Sequence, residues 1–312
     1  EFAYQLEQQI KPQASRPLMP SLQQQMQHLD QVTKPGAGLA LSQPSIMQLD
    51  YGQALPLQRL FAGYSHIDAP SISYLNPANM GASVNGAINI IDGQLLYGFT
   101  HPVNQKANQL GQDTSLSLAY ATNPYKQTRS AIVAGLSMEQ GSLLDSLGQG
   151  AFGFDQKTAK TGYMAVTGEQ ELGGNILLKI MAATGKTRMD QASQSLLQGA
   201  EGIVTNYMDL RLSKRQAFNK DDQLSINITR PFRTQAGQMT VRIPQPADAA
   251  GNLNYKSKTI SLEPSGQQLD LGVNYHTEIS QQLTLGLGGL YSRQPNHIKD
   301  NPDHYAITMA MD

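Results

Sequence analysis

The stretch Gln223-Leu224-Ser225-Ile226-Asn227-Ile228-Thr229 alternates polar and apolar residues without interruption. Successive side chains of a β-strand point to opposite faces, so a period of two predicts a strand with one apolar and one polar face. The same alternation returns at residues 239–243, 269–276, 283–288 and 305–311. The last third of the chain is therefore predicted to form an antiparallel meander.

Similar segments precede this region. Residues 84–91 and 94–100 flank Asp92-Gly93, a dipeptide that favours a type I′ hairpin turn. Further strands are predicted at 114–121, 130–139, 161–169, 175–184 and 203–213, whereas residues 46–80 look irregular with short strands. The chain is therefore predicted to be all-β, with about ten to twelve strands closing as a β-barrel, and a soluble β-sandwich is the alternative.

The first 45 residues have a different composition, rich in Gln and Pro. One short helix is predicted from Ser21 to about Val32, with Gln24 in capping-box spacing and Pro35-Gly36 as its stop signal. It would pack on the surface of the β domain or pass through a barrel lumen. The predicted organisation is a linker over 1–45 and an antiparallel β domain over 46–312.

Composition excludes several function classes. Lys and Arg number 23 against 24 Asp and Glu, for a net charge of −1, and without a basic cluster nucleic acid is not an expected partner. The absence of cysteine excludes a disulfide framework, a thiolate metal site and a cysteine nucleophile. No run of about 18 apolar residues is present, which excludes a transmembrane helix but not a transmembrane β-barrel. No secretory signal opens the sequence, so an exported protein would be expected to contain this chain as a piece of something longer.

Two short motifs resemble those of enzymes. Gly185-Lys186-Thr187 looks like the end of a phosphate-binding loop, but Ile180 stands where that motif needs glycine, and a turn is predicted instead. Gly135-Leu136-Ser137-Met138 suggests a nucleophilic serine, yet it lies within a predicted strand with no helix after it. Neither motif predicts catalysis.

The histidines offer two weaker candidate sites. His276 lies on the polar face of its predicted strand with Asp270 and Glu278, where it is either simply hydrated or part of a barrel hydrolase. The loop 297–304 contains two His and two Asp residues that could hold a divalent ion, calcium for example, but Asn-Pro and Asp are also common in hairpin turns, and a turn is the preferred interpretation. No catalytic, cofactor-binding or metal-binding residue is assigned, and no cofactor is expected.

The direction of the apolar stripes would decide the environment of the domain. In a soluble sandwich they face a core, whereas in an outer-membrane barrel they face lipid and the small polar residues line the interior. Tyrosines near several strand ends favour the membrane, and the lack of Trp and the short stripes oppose it. The sequence pattern leaves both interpretations open.

Five segments resemble the C-terminal, autotransporter-like β domains of subtilisin-like serine peptidases (subtilases) of Gram-negative bacteria. In order, they are Leu49-Asp50-Tyr51-Gly52, residues 141–152, residues 229–244, Ser261-Leu262-Glu263-Pro264-Ser265-Gly266, and residues 291–297. This chain departs from the family pattern at Gln267-Gln268, where the family tends to have Arg-Glu, and at Asn296, where it tends to have Gly. It stops at Asp312 instead of on the aromatic residue that usually ends an outer-membrane barrel.

The resemblance implies that the parent protein is a serine endopeptidase and that this chain is its non-catalytic C-terminal part. The peptidase motifs themselves are missing, so no catalytic residue is carried over. The expected function is to export, anchor or display an N-terminal subtilisin-like passenger domain at the outer membrane or cell surface, in contact with an outer-membrane or cell-surface component. The alternatives are a soluble secreted β module for assembly or partner recognition and, third, a barrel hydrolase that uses His276 or the 297–304 loop.

Overall fold

The computed structural model describes residues 46–53, 80–90, 93–102, 112–122, 128–144, 146–147, 153–154, 158–190, 195–247, 251–280 and 283–311. The predicted linker and its helix from Ser21 lie outside the described residues. The division into a linker and a β domain therefore stays a prediction. No helix in the described segments has the length and apolar character required to cross a membrane.

Nearly all of the described chain is one antiparallel sheet of 13 strands. Twelve of them form a continuous path in which each strand pairs with its neighbours along the path: β1 (Ile46–Gln53), β2 (Met80–Ile90), β3 (Gly93–Pro102), β4 (Gln112–Thr122), β5 (Thr128–Gln140), β8 (Thr158–Gly173), β9 (Ile176–Met189), β10 (Leu197–Arg215), β11 (Asp222–Pro244), β13 (Leu269–Ser280), β14 (Leu283–Arg293) and β15 (His304–Met311). β12 (Tyr255–Ser261) pairs with the far half of β11, and β6 (Ser142–Leu143) with β7 (Ser146–Leu147) forms a small separate hairpin. The predicted all-β antiparallel meander is confirmed. Within the described ranges β1 and β15 are the path's two ends and do not pair with each other.

Two local predictions were wrong. In the first hairpin Ile90 pairs with Gly93, so the connecting residues are 91–92 and Gly93 is already part of β3. A Cβ atom at Gly93 would lie 2.1 Å from the carbonyl oxygen of Ala121 on the neighbouring strand. Glycine is therefore required at this position by the close approach of the two strands and not by a turn. Gly185-Lys186-Thr187 is not a turn but lies inside β9, because its backbone pairs with both β8 and β10.

Connections between strands alternate in length. At one end, here called the short-turn end, pairs of strands are joined by residues 91–92, 123–127, 174–175, 216–221 and 281–282. Gly174 and Asn175 both have positive φ angles, 58° and 62°, as a two-residue type I′ connection requires. The opposite end, the long-loop end, has longer connections, among them 141–157, 245–268 and 294–303.

One face of the sheet is buried although no second layer covers all of it. Side chains on that face alternate in exposure with their neighbours along each strand; on β8, Tyr163 and Ala165 are buried while Met164 and Val166 are exposed. Buried residues from β2 to β10 belong to one cluster. A single sheet can bury one face in this way only by curving around it, so the buried face is the inner face and the exposed one the outer face.

Described residues of the segment between β5 and β8 cover part of the inner face at the long-loop end. Leu143 and Phe154 are buried against inner residues of β8 to β11, including Ala159, Met189 and Val241. Leu144, at a φ of 51°, contacts this cluster and the larger one. The described residues Leu143, Leu144 and Phe154 of this segment therefore lie on the inner face of the sheet.

Candidate functional site

The outer face of the sheet is apolar. Its exposed side chains include Ile132, Leu136, Met138, Leu116, Leu118, Met164, Val166, Ile180, Met208, Leu210, Leu212, Ile226 and Ile228. Leu136, for example, retains 55% of its accessible surface. A contiguous apolar surface across so many adjacent strands exceeds what monomeric soluble proteins expose to water, and indicates contact with lipid or with another apolar surface.

The inner face contains mainly small and polar side chains. Buried hydroxyl residues on it include Thr100, Ser115, Ser117, Ser137, Thr161, Thr167, Thr187 and Thr205. The apolar stripes of the alternation thus point outward and the small polar residues inward. This arrangement contradicts the sandwich alternative and agrees with the predicted outer-membrane or cell-surface localisation.

A row of charged side chains crosses the inner face near the short-turn end. Arg129, Glu169, Lys179 and Arg211 occupy directly paired positions on the adjacent strands β5, β8, β9 and β10. Glu169 accepts a hydrogen bond from the Arg129 guanidinium, and its other oxygen lies 3.3 Å from Lys179 Nζ. The row thus contains three cations and one carboxylate, and two of the cations, Arg129 and Lys179, contact that carboxylate.

The centre of the charged row is buried, whereas Arg129 and Arg211 at its ends are half-buried. The Lys179 and Glu169 side chains retain only 6% and 1% of their accessible surface. In the next row of the same face, Asp209 accepts a hydrogen bond from Thr229. The parity of each strand could have placed these residues on the small-residue face, but their shared row depends on strand register.

A second cluster of hydrogen bonds, the loop junction, joins two connections to β11 at the long-loop end. His297 Nε2 lies 3.0 Å from the carbonyl oxygen of Phe232, and Nδ1 accepts the backbone N–H of Gln268 at 2.9 Å. This pattern requires a neutral imidazole with its proton on Nε2. Burial, the largest effect, lowers the pKa of His297, and the nearby Arg233 lowers it further, whereas the contact with Phe232 raises it.

Arg233 forms the other half of the loop junction. Its buried guanidinium donates to the carbonyl oxygens of Gly266 at 3.0 Å and Pro264 at 3.1 Å, and contacts Glu263 at 3.4 Å. Gly266 in turn donates its N–H to the His297 carbonyl, and a Cβ atom there would lie 2.5 Å from the backbone nitrogen of Lys299. Only glycine fits at this position without a backbone shift.

The loop junction brings together three of the five segments that carry the family resemblance. Phe232 and Arg233 belong to the third segment, Glu263 to Gly266 to the fourth, and His297 to the last. Asn296, a departure from the family pattern, has a φ of 60°, which asparagine tolerates better than most other residues. Gln268, another departure, accepts the Asn296 N–H and donates to Asp270.

The loop 297–304 is organised as a turn, as preferred from sequence. A short 3-10 turn spans Pro295–His297, and Asn301 donates its side-chain N–H to the Pro295 carbonyl and its backbone N–H to that of Ile298. Asp303 accepts the Tyr291 hydroxyl at 2.7 Å, while His304 is exposed at the start of β15. Across the described segments no three His, Asp or Glu side chains are grouped so as to hold a metal ion.

The other two candidates lie on strands. His276 is half-buried in β13, opposite Gln223 of β11 and Gly286 of β14. Ser137 is buried on the inner face of β5, opposite Ser115 and Thr161. Neither lies beside the loop junction or in the charged row, so the structure does not assemble these candidates into one site.

Comparisons with known proteins give similarities at low identity. No family model and no curated protein matches the chain. Among solved structures, it is similar to OmpT, an outer membrane protein of Vibrio cholerae, at 8% identity and a TM-score of 0.49, covering 79% of this chain and 66% of that one. It is also similar to the anion-selective porin from Comamonas acidovorans, at 11% identity and a TM-score of 0.49, covering 86% of this chain and 73% of that one. The apolar outer face, and not these similarities, supports the function proposed below.

Proposed function

We propose that this chain is an outer-membrane β domain whose outer face contacts lipid. The observation that carries the proposal is the apolar outer face opposite a small, polar inner face. The strands are long enough, because β5, β8, β9, β10 and β11 have 13 to 23 residues and a tilted spanning strand needs about nine to eleven. Alternating short turns and long loops are also typical of such domains.

We further infer that the domain anchors or displays an N-terminal subtilisin-like passenger domain, which would be its main partner. The support is the resemblance of five ordered segments, three of which meet at the loop junction around Arg233 and His297. Peptidase activity would belong to the parent protein and not to this β domain. A test is to express the parent with and without residues 46–312 and to measure whether external protease reaches the passenger on intact cells. Loss of surface exposure on deletion is expected, and unchanged exposure would contradict the display function.

A second candidate function is a path for hydrophilic solutes along the inner face. The charged row Arg129, Glu169, Lys179 and Arg211 favours it, because three cations and one carboxylate would attract anions. Single-channel conductance in planar bilayers tests it, and a preference for chloride over potassium that falls in Arg211→Gln is expected. A bilayer that contains the folded chain and remains non-conducting would rule the path out.

The first test of the membrane function is behaviour without detergent. The purified chain should aggregate when detergent is removed, and in detergent it should give a folded band whose gel mobility shifts on boiling. A monodisperse species that persists in plain buffer would instead mean that the apolar outer face is covered by protein.

A further inference from the structure

Three basic side chains form a cluster on the outer face at the long-loop end. They are Lys160 of β8 and Lys186 and Arg188 of β9, here called the basic cluster. Lys160 lies directly opposite Arg188, and Lys186 lies opposite Gly162 on one side and Val204 on the other. All three share the parity of the outward residues Met164 and Ile180, and Lys186 and Arg188 are exposed.

The side chains of the basic cluster are not ion-paired in the described parts of the chain, although the exposed Asp190 follows Arg188 and the exposed Glu201 lies in the β10 bulge opposite it. The outward neighbour of Lys160 on β5 is Met138, and that of Lys186 on β10 is Val204, both uncharged. Like charges directly opposite each other on paired strands are destabilising, so the Lys160–Arg188 pair favours an external anion between them.

The position of the basic cluster relative to the apolar face identifies the kind of anion. Lys186 shares its cross-strand row with the outward residues Leu136 and Leu116. Lys160 and Arg188 lie in the next row toward the long loops, so the cluster lies at the long-loop edge of the apolar surface. A bilayer's polar layer is on the order of 5–7 Å thick on each side of its hydrocarbon core. The cluster therefore lies at the boundary between the hydrocarbon core and the lipid head groups, within reach of the head groups for long basic side chains. At the short-turn end, by contrast, the corresponding outward positions of β8 and β9 hold apolar residues, Leu172 and Ile176.

We propose that Lys160, Lys186 and Arg188 bind a phosphorylated glycolipid head group in the leaflet on the long-loop side. Three cations within two strands match a head group with more than one phosphate better than a lipid with a single phosphodiester. Arg188 can donate two parallel hydrogen bonds to one phosphate, and the lysines act as point charges that reach along the surface. This inference rests on the proposed membrane function.

The test uses the full chain in nanodiscs of phosphatidylcholine that contain either diphosphorylated lipid A or phosphatidylglycerol. Retained lipid is measured by native mass spectrometry, and heat-dependent gel mobility reports folding and insertion of every variant. The wild-type chain should retain lipid A in preference to phosphatidylglycerol. Each neutralised cation should reduce that preference roughly fivefold, so the variants K186Q and K160Q/K186Q/R188Q should show a graded loss.

The matched control removes three cations at the short-turn end, in K214Q/R215Q/K220Q, and should keep the preference of the wild-type chain. An inserted wild-type chain without a preference for lipid A, or a basic-cluster variant that retains it fully, overturns this inference alone. Equal losses in both triple variants would also overturn it, because they would indicate an effect of net charge. A chain that does not insert at all overturns the proposed function and this inference together.

Discussion

His297 and Phe232 are 65 residues apart in sequence, yet the His297 imidazole lies 3.0 Å from the Phe232 carbonyl oxygen. The same ring accepts the Gln268 N–H. One side chain thus links β11, the segment before β13 and the connection between β14 and β15. Because burial keeps this imidazole neutral, the link depends on pH.

The first prediction concerns acid. The pKa of His297 is lowered in the folded chain, so the unfolded chain binds a proton first as pH falls below about 6.5. The free energy of unfolding should therefore be highest above pH 6.5 and should decrease from there toward the lowered folded-state pKa. Urea unfolding from detergent micelles between pH 5 and about 8 measures it.

The variant H297Q should lose most of this pH dependence and about 1–3 kcal/mol of stability at neutral pH, since a buried hydrogen-bond network is broken. H304Q, at an exposed position on β15, is the control and should retain the wild-type profile. An H297Q variant with the same pH profile as the wild type would show that another group is responsible.

The second prediction concerns the planar donor of the loop junction. Arg233 serves two backbone carbonyls and Glu263 with one guanidinium, which an ammonium cannot reproduce in the same geometry. R233K should cost about 1.5–3 kcal/mol and should make the connections 262–268 and 294–299 exchange amide hydrogens faster. The same change at the exposed Arg293, R293K, should leave both measurements unchanged, and equal exchange in R233K would contradict the assigned role.

The third prediction concerns the charged row. Glu169→Gln leaves Arg129 and the buried Lys179 without their shared carboxylate, and should destabilise the chain by about 3–5 kcal/mol. The double variant E169Q/K179M should recover part of that loss, because it also removes one buried cation. E171Q, at the exposed end of β8, is the control. An E169Q variant as stable as E171Q would mean that the row is hydrated and weakly coupled.

Alternation revealed the strands, but it could not reveal their orientation. Leu136 and Ser137 alternate equally well in a sandwich and in a barrel, and only the curvature of the whole sheet shows that the leucine points outward.

The strands also extend further than the alternation predicts. Lys186 and Arg188 ended the apolar pattern of β9 in the sequence, whereas backbone pairing with β8 and β10 continues through them to Met189.

Register explains what the sequence pattern missed. Arg129 and Arg211 are far apart in the chain and meet in one row only because four strands align residue by residue. The need for glycine at position 135 also depends on strand register. A Cβ atom at Gly135 would lie 2.5 Å from the ring of Tyr163, the residue directly opposite on β8. Strand β12 was missed because its residues, from Tyr255 to Ser261, have a weak apolar alternation, and pairing with β11 defines it.

The fourth prediction separates a lipid-facing surface from a protein-covered one. Val166 lies on the outer face of β8, well inside the apolar region between Lys160 and Leu172, and retains 43% of its accessible surface. In water, an arginine at such an exposed position would change the free energy of unfolding little.

In a bilayer, the guanidinium of V166R would enter the hydrocarbon core. V166R should therefore lower the free energy of unfolding by about 2–4 kcal/mol, measured by urea unfolding from lipid vesicles. The control Q238R places the same charge on the exposed far half of β11, where it should cost less than about 1 kcal/mol. If V166R and Q238R unfold at the same urea concentration, the outer face does not contact lipid; a selective loss in V166R places that face in the hydrocarbon core.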